Sequence, residues 1–252
     1  MQIKKKHNLS ITKVVLFTLF LTFSMIFITR ADESISQPLE ITKDQILQEQ
    51  KEILHRRLHE VTLNHLFEQE GISSHYAKKF HKRKTSSGDI FFLDKYTAAH
   101  RKLPFGSIIR VINKSNQKSS LAIINDRGPF VRNRIIDLSG IVANKVGSSG
   151  IPPVKIQTIL DTNDSLKIDD ELFITFSLIN PPQITLYEYI NVLTQSADFT
   201  YLMDLLHNLQ EKHPYLNYTI SVASSQYFES YRKERMYYLG IVSPDIYLSR
   251  DI

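Results

Sequence analysis

The chain of 252 residues contains no cysteine and no tryptophan. Without cysteine there is no disulfide framework, no thiolate metal site and no cysteine nucleophile. Glycine is scarce and unevenly placed. Seven of the eight glycines (71, 88, 106, 128, 140, 147 and 150) fall between residues 71 and 160, and none of them builds a phosphate-binding loop. Acidic residues are few in the same window, where ten lysines and six arginines face only Asp89, Asp94, Asp126 and Asp137. That is a net +12; with +5 for the whole chain, the rest sums to −7. The basic character therefore belongs to one region, and it suits an anionic partner such as a wall polymer.

Long apolar runs are equally rare. One runs from Val14 to Ile28, preceded by Lys4, Lys5, Lys6 and Lys13 and followed by Ala31 and Asp32. This order predicts an export signal over residues 1–31, cleaved after Ala31 or retained as an N-terminal membrane anchor. Fifteen residues span only about 22 Å as a helix, short of a ~30 Å hydrocarbon core, which favours cleavage. Either version places the protein outside the cytoplasm, in the periplasm or cell envelope, where it meets no nucleic acid; no nucleic-acid motif is present either.

Residues 32–70 read as a helical spacer or packing helix. Ile46, Leu47, Ile53, Leu54, Leu58, Val61 and Leu66 recur at helical spacing between Thr42 and Phe67, and Thr42 with Gln45 can form a capping box. His55 and His59 have zinc-ligand spacing, but Arg56 and Arg57 lie between them and no third ligand follows, so no metal is expected there. From residue 71 to 160, glycine-bounded β-branched runs predict strands at Ser107–Ile112, Leu121–Ile124, Ile135–Leu138 and Val154–Leu160. Asn113–Ser120 forms a hairpin connection, and Ser139–Val146 a short helix stopped by Gly147. Residues 161–252 read as a small α+β region, with apolar stretches at Leu172–Ile179 and Tyr218–Val222, a helix from Asp198 to Lys212 and a second from Gln226 to Tyr238. Most of its tyrosines are expected to pack and hydrogen-bond.

Chemistry concentrates in two stretches, KTSSGDIFFLDKYTAAHRKLPFGSIIRV from Lys84 and IINDRGPFVRNRIIDLS ending at Ser139. Together they resemble the rare lipoprotein A family, with its threonine-small-glycine-acid turn, its TAAH and LPFG words and its NDRGPF loop. The resemblance implies a mainly β fold, a six-stranded double-psi β-barrel at residues 71–160, preceded by the helix and followed by the α+β region. It also implies lytic transglycosylase activity on the glycan strands of peptidoglycan, without a metal or cofactor, and contact with cell-division or wall proteins.

Carried over by motif, Asp126 is the family's aspartate, His100 its histidine, and Asp89 stands where the family usually has glutamate. Glycosidic cleavage needs a carboxylic acid of raised pKa, and Asp126 is the candidate, with His100 orienting it and Asp89 stabilising charge or positioning sugar. Arg127 binds substrate or braces its loop. The family's alanine-serine-tryptophan-tyrosine-glycine stretch is replaced by Ser73, Ser74, His75, Tyr76 and Ala77, which leaves Tyr76 as the remaining sugar platform. The missing cysteine excludes the lipidation the family name implies. The alternative is a wall-binding scaffold that keeps the groove and does not cleave.

Overall fold

The structure is a computed structural model that describes residues 42–148, 150–161, 166, 172–228 and 234–242. The expected export segment lies outside the described residues. No described helix is long and apolar enough to cross a membrane.

The first helix, α1 (Lys43–His65), starts where the capping pattern places it. Thr42 Oγ1 accepts from Gln45 N, and Gln45 Oε1 accepts from Thr42 N at 2.9 Å. Its last turns are anchored by Leu58, which is buried, and by Thr62, whose hydroxyl accepts the Ile184 N–H at 3.0 Å. The helix passes into strand β1 (Leu66–His75) with no linker. The barrel therefore begins five residues before Gly71, where the sequence reading places its edge. The cause is pairing: Leu66 through Ile72 lie antiparallel to Ile159 through Pro153.

Five more strands close the barrel: β2 (Thr97–His100), β3 (Ile108–Asn113), β4 (Ser119–Asp126), β5 (Arg134–Leu138) and β6 (Pro153–Ile159). Their order is β1-β5-β2-β4-β3-β6. The pairs β1–β5 and β2–β4 are parallel, and each carries a bulge. Ala98, Ile124, Ile136 and Leu138 are fully buried and fill the interior. Helix α2 (Gly140–Lys145) ends near Gly147, whose φ of +63° favours glycine.

The C-terminal region is a five-stranded sheet of order β8-β7-β10-β11-β9. It comprises β7 (Leu172–Ser177), β8 (Gln183–Leu186), β9 (Ile190–Ser196), β10 (Tyr218–Ala223) and β11 (Tyr237–Val242). Helix α3 (Phe199–Lys212) is capped by Asp198, which accepts from Thr200 N and Tyr201 N. The expected second helix at Gln226–Tyr238 is corrected at its two ends: among the described residues the single turn α4 (Ser224–Tyr227) is helical and Tyr237–Val242 is strand, while 229–233 lie outside the described residues. Alternate burial of Tyr237 and Leu239 against β9 and β10 outweighs helical propensity there.

Barrel and sheet share one apolar core. Tyr227 Oη accepts the Ile108 N–H at 3.2 Å and meets Thr158 Oγ1 at 3.0 Å. Tyr96 Oη donates to Asp204 and its ring stacks on His207. Arg110, buried on β3, donates to Leu178 O at 2.9 Å, Ile179 O at 2.6 Å and Gln157 Oε1 at 2.9 Å. Burial, partly offset by Glu68, lowers the Arg110 pKa to about 10, so it stays charged at neutral pH. Arg110→Met takes the guanidinium donors from Ile179 O and Gln157 Oε1 and leaves Leu178 O with the Ser119 hydroxyl, and it is expected to lower the unfolding free energy by about 3 kcal/mol. Urea denaturation reads this directly, and an unchanged midpoint would mean that Arg110 does not tie the two units together.

Candidate functional site

Asp126 is the last residue of β4, at the mouth of the Gly128 loop. One carboxylate oxygen accepts from Ser86 N at 2.8 Å, Ser86 Oγ at 2.6 Å and Arg127 N at 2.8 Å. The other accepts from Tyr76 Oη at 2.6 Å. Burial pushes the Asp126 pKa up, but these four hydrogen bonds outweigh it and hold the carboxyl below its ordinary value. Asp126 is thus ionised at neutral pH. That corrects the expectation that it is the acid of raised pKa.

A second carboxyl supplies what Asp126 lacks. In the strand register Asp126 lies level with Ala99, Ala99 with Asp137, and Asp137 with Ser74. Laterally paired residues share a face, so four neighbouring strands carry one row: Asp126, Ala99, Asp137, Ser74. Ala98, Leu138 and Ile136 fill the interior, so this row faces outward. Burial raises the Asp137 pKa; the Ser74 hydroxyl, which hydrogen-bonds Asp137 Oδ1, opposes the rise, as do Arg134 and His75, while the Asp126 charge adds to it. Gly128 (φ +138°) brings the loop against this row, since a Cβ there would lie 3.4 Å from Asp137 Oδ2 and 4.0 Å from Phe130 Cε2. Phe130 is 84% exposed at the rim. Arg101 holds that loop in place by donating to the carbonyls of Pro129, Val131 and Arg134.

The other candidates are distributed differently. His100 follows Ala99 and so points to the opposite face, beside Ile136. Its Nδ1 accepts from Leu103 N at 2.9 Å and Lys102 N at 3.2 Å, which puts the proton on Nε2, facing Gln69 Oε1 at 3.0 Å. Burial, then Arg127, Arg101 and Lys102, lower the His100 pKa to about 4. This histidine is a neutral turn anchor and lines a separate cleft with Gln69, Lys102 and Arg134. Arg127 is committed to bracing: it donates to His100 O and Leu103 O, and its guanidinium lies 3.7 Å from the Phe105 ring centroid.

Tyr76 packs at 4.4 Å on Phe91 and gives its hydroxyl to Asp126, so it holds the carboxylate. Asp89 accepts from Asn125 Nδ2 at 3.3 Å and lines a cavity toward the C-terminal sheet. Asp137, Ser74 and Ser86 escaped the sequence reading. An aspartate inside the β-branched run Ile135–Leu138 was the available signal for the first of them.

The two carboxyls are coupled, which gives a direct test. Asp126→Asn removes the charge that raises Asp137, so the Asp137 pKa is expected to fall. Tyr76→Phe removes a hydrogen bond from Asp126, whose pKa is expected to rise. Carboxyl-carbon NMR titration reads both, and an Asp137 curve indifferent to Asp126→Asn would mean that the pair does not interact.

A family model described as lytic transglycolase matches residues 68–156. Three similar proteins carry the name endolytic peptidoglycan transglycosylase RlpA. The one from Pasteurella multocida is 39% identical over 149 residues, covering 58% of this chain and 48% of that protein. The one from Helicobacter pylori strain J99 is 49% identical over 77 residues, 31% of this chain and 24% of that protein. The Neisseria meningitidis serogroup A protein is 47% identical over 96 residues, 37% of this chain and 40% of its own. The chain thus spans about half or less of the length of these relatives. Among solved structures, Streptomyces papain inhibitor is similar at a TM-score of 0.31 and 15% identity, covering 37% of this chain and 96% of its own. Six closed strands, the motifs and the match over residues 68–156 agree: the barrel is similar to the RlpA-like double-psi β-barrel family.

Proposed function

We propose that the barrel cleaves peptidoglycan glycan strands in the bacterial cell envelope as an endolytic transglycosylase, without a metal or cofactor. The observation that carries this reading is the outward row in which Asp126 and Asp137 flank Ala99 and have their pKa values pushed in opposite directions. A pair split in this way divides into a group that stays charged and a group that can carry a proton. Two strand spacings put their backbones about 10 Å apart, with the buried Ala99 and the Gly128 loop packed on it between them.

In the proposed reaction Asp137 gives its proton to the glycosidic oxygen as the bond between N-acetylmuramic acid and N-acetylglucosamine breaks. Asp126, held ionised by Tyr76 and Ser86, stabilises the positive charge at the anomeric carbon. The muramic C6 hydroxyl then attacks that carbon and returns its proton to Asp137. A 1,6-anhydro end forms, and Asp137 is ready for the next cycle. The names of the relatives support peptidoglycan as substrate and transglycosylation as reaction, and the barrel's excess of cations supports attraction to an anionic wall.

Sacculi incubated with the full chain are expected to release anhydro-ended fragments, identified by mass spectrometry. Asp137→Asn or Asp126→Asn should slow release about 10²- to 10⁴-fold. Reducing ends would indicate hydrolysis instead, and co-sedimentation without release would favour the wall-binding scaffold.

The pH profile has a definite sign. The depressed Asp126 pKa keeps that group ionised down to low pH, whereas the raised Asp137 pKa keeps the proton available only below it. Activity should therefore decline as pH rises past the Asp137 value, and His100, neutral above about 4, should add no limb near its ordinary pKa. Initial rates across pH check this; a rise with pH through that range would assign the acid to another group.

A further inference from the structure

We propose that the cavity between the barrel and the C-terminal sheet is a second sugar subsite, which takes an N-acetylated hexose unit of the same strand that reaches Asp126. The inference rests on the glycan-cleaving reading and assigns the C-terminal region a part in it. The cavity measures about 420 Å³, within the ~300–1,000 Å³ range of small-ligand clefts.

Its walls differ in chemistry. Ser87, Gly88 and Asp89 come from the turn after Thr85, Ile123 from β4, and Ala197, Phe199 and Tyr237 from the C-terminal region. Phe199 and Tyr237 meet edge to face at 5.2 Å. Polar Ser87 and Asp89 on one side and the accessible edges of two aromatics, each 6% exposed, on the other match a pyranose, which has a polar rim and apolar faces.

Continuity with the reacting centre comes from the turn itself. Thr85 N donates to Asp89 O at 2.8 Å, the Thr85 and Ser87 hydroxyls meet at 2.9 Å, and Ser87 N donates to Asn125 O at 3.2 Å, so the turn is pinned to β4. Ser86 leaves this turn toward Asp126, while Ser87 and Asp89 leave it toward the cavity. Ile123 pairs with Thr97 on the outward face and precedes Asp126 by three residues, about 10 Å along the strand. A polymer lying across the carboxylate row and over the turn enters the cavity. The Arg110 and Tyr227 hydrogen bonds tie the same junction at other points.

The test uses the full chain and soluble glycan strands stripped of stem peptides. Ala197 is exposed, so Ala197→Trp plugs the cavity without touching the barrel core. Asp89→Asn removes charge at nearly constant shape. Both are expected to raise KM about tenfold, the loss appearing in KM and not in kcat, whereas Asp126→Asn loses kcat. Unchanged KM in both variants, with wild type cleaving, overturns the subsite alone. An Asp89→Asn variant that loses kcat as Asp126→Asn does would put Asp89 in the chemistry and likewise overturn it. A wild-type protein that releases nothing removes the reading beneath the proposal, an outcome visible before any variant is compared.

Discussion

One extra residue in β4 sets the geometry on which the proposed site depends. Ala98 pairs with Ile124, and regular register would pair Ala99 with Asn125; the bulge passes over Asn125 and brings Asp126 level with Ala99 instead. A one-residue slip reverses which face a side chain occupies. The bulge therefore lets the interior keep Ile124 while Asp126 stands in line with Asp137. The second parallel pair, β1–β5, has its own shift between Ile72 and Ser73, and it brings Ser74 level with Asp137. Both irregularities lie in parallel pairings, and between them they assemble the outward row.

Electrostatics then follow from neighbours more than from residue type. Two aspartates on one face of one barrel diverge because Asp126 receives four donors, two of them from the turn after Thr85, while Asp137 has fewer donors and sits beside an ionised partner. The surrounding cations do not erase the difference, because Arg101, Arg110 and Arg127 are occupied with carbonyls. Those arginines shape loops and joints, leaving the exposed lysines to supply the general positive field.

Legibility in the sequence varied with how local each determinant was. The Thr42–Gln45 cap, the strands from Ile108 to Ile159 and the Gly147 stop depend on a few adjacent residues and could be read in advance. Strand β1 could not, because Glu68, Gln69 and Glu70 interrupt its apolar pattern and only β6 across the barrel makes it a strand. Motif matching singled out Asp126 as a candidate, but its ionisation depends on Ser86, forty residues away, and Tyr76, fifty residues away. His100 was drawn to the site by its motif, whereas two-residue periodicity along TAAH sends it to the other face. The C-terminal helix expected at Gln226–Tyr238 failed for a similar reason, since partners in β9 and β10 decide the state of Tyr237–Val242.

The direct passage of α1 into β1 has a mechanical meaning. The helix is about 34 Å long, its first turns are mostly exposed, and its last residue is followed at once by a strand paired to β6 from Leu66 to Ile72 and to β5 from Ile72 to His75. A flexible linker would let the barrel sample a sphere of positions around its point of attachment. A helix fused to a barrel stave behaves as a lever arm instead, so whatever holds residue 42 also sets the height and heading of the groove above it.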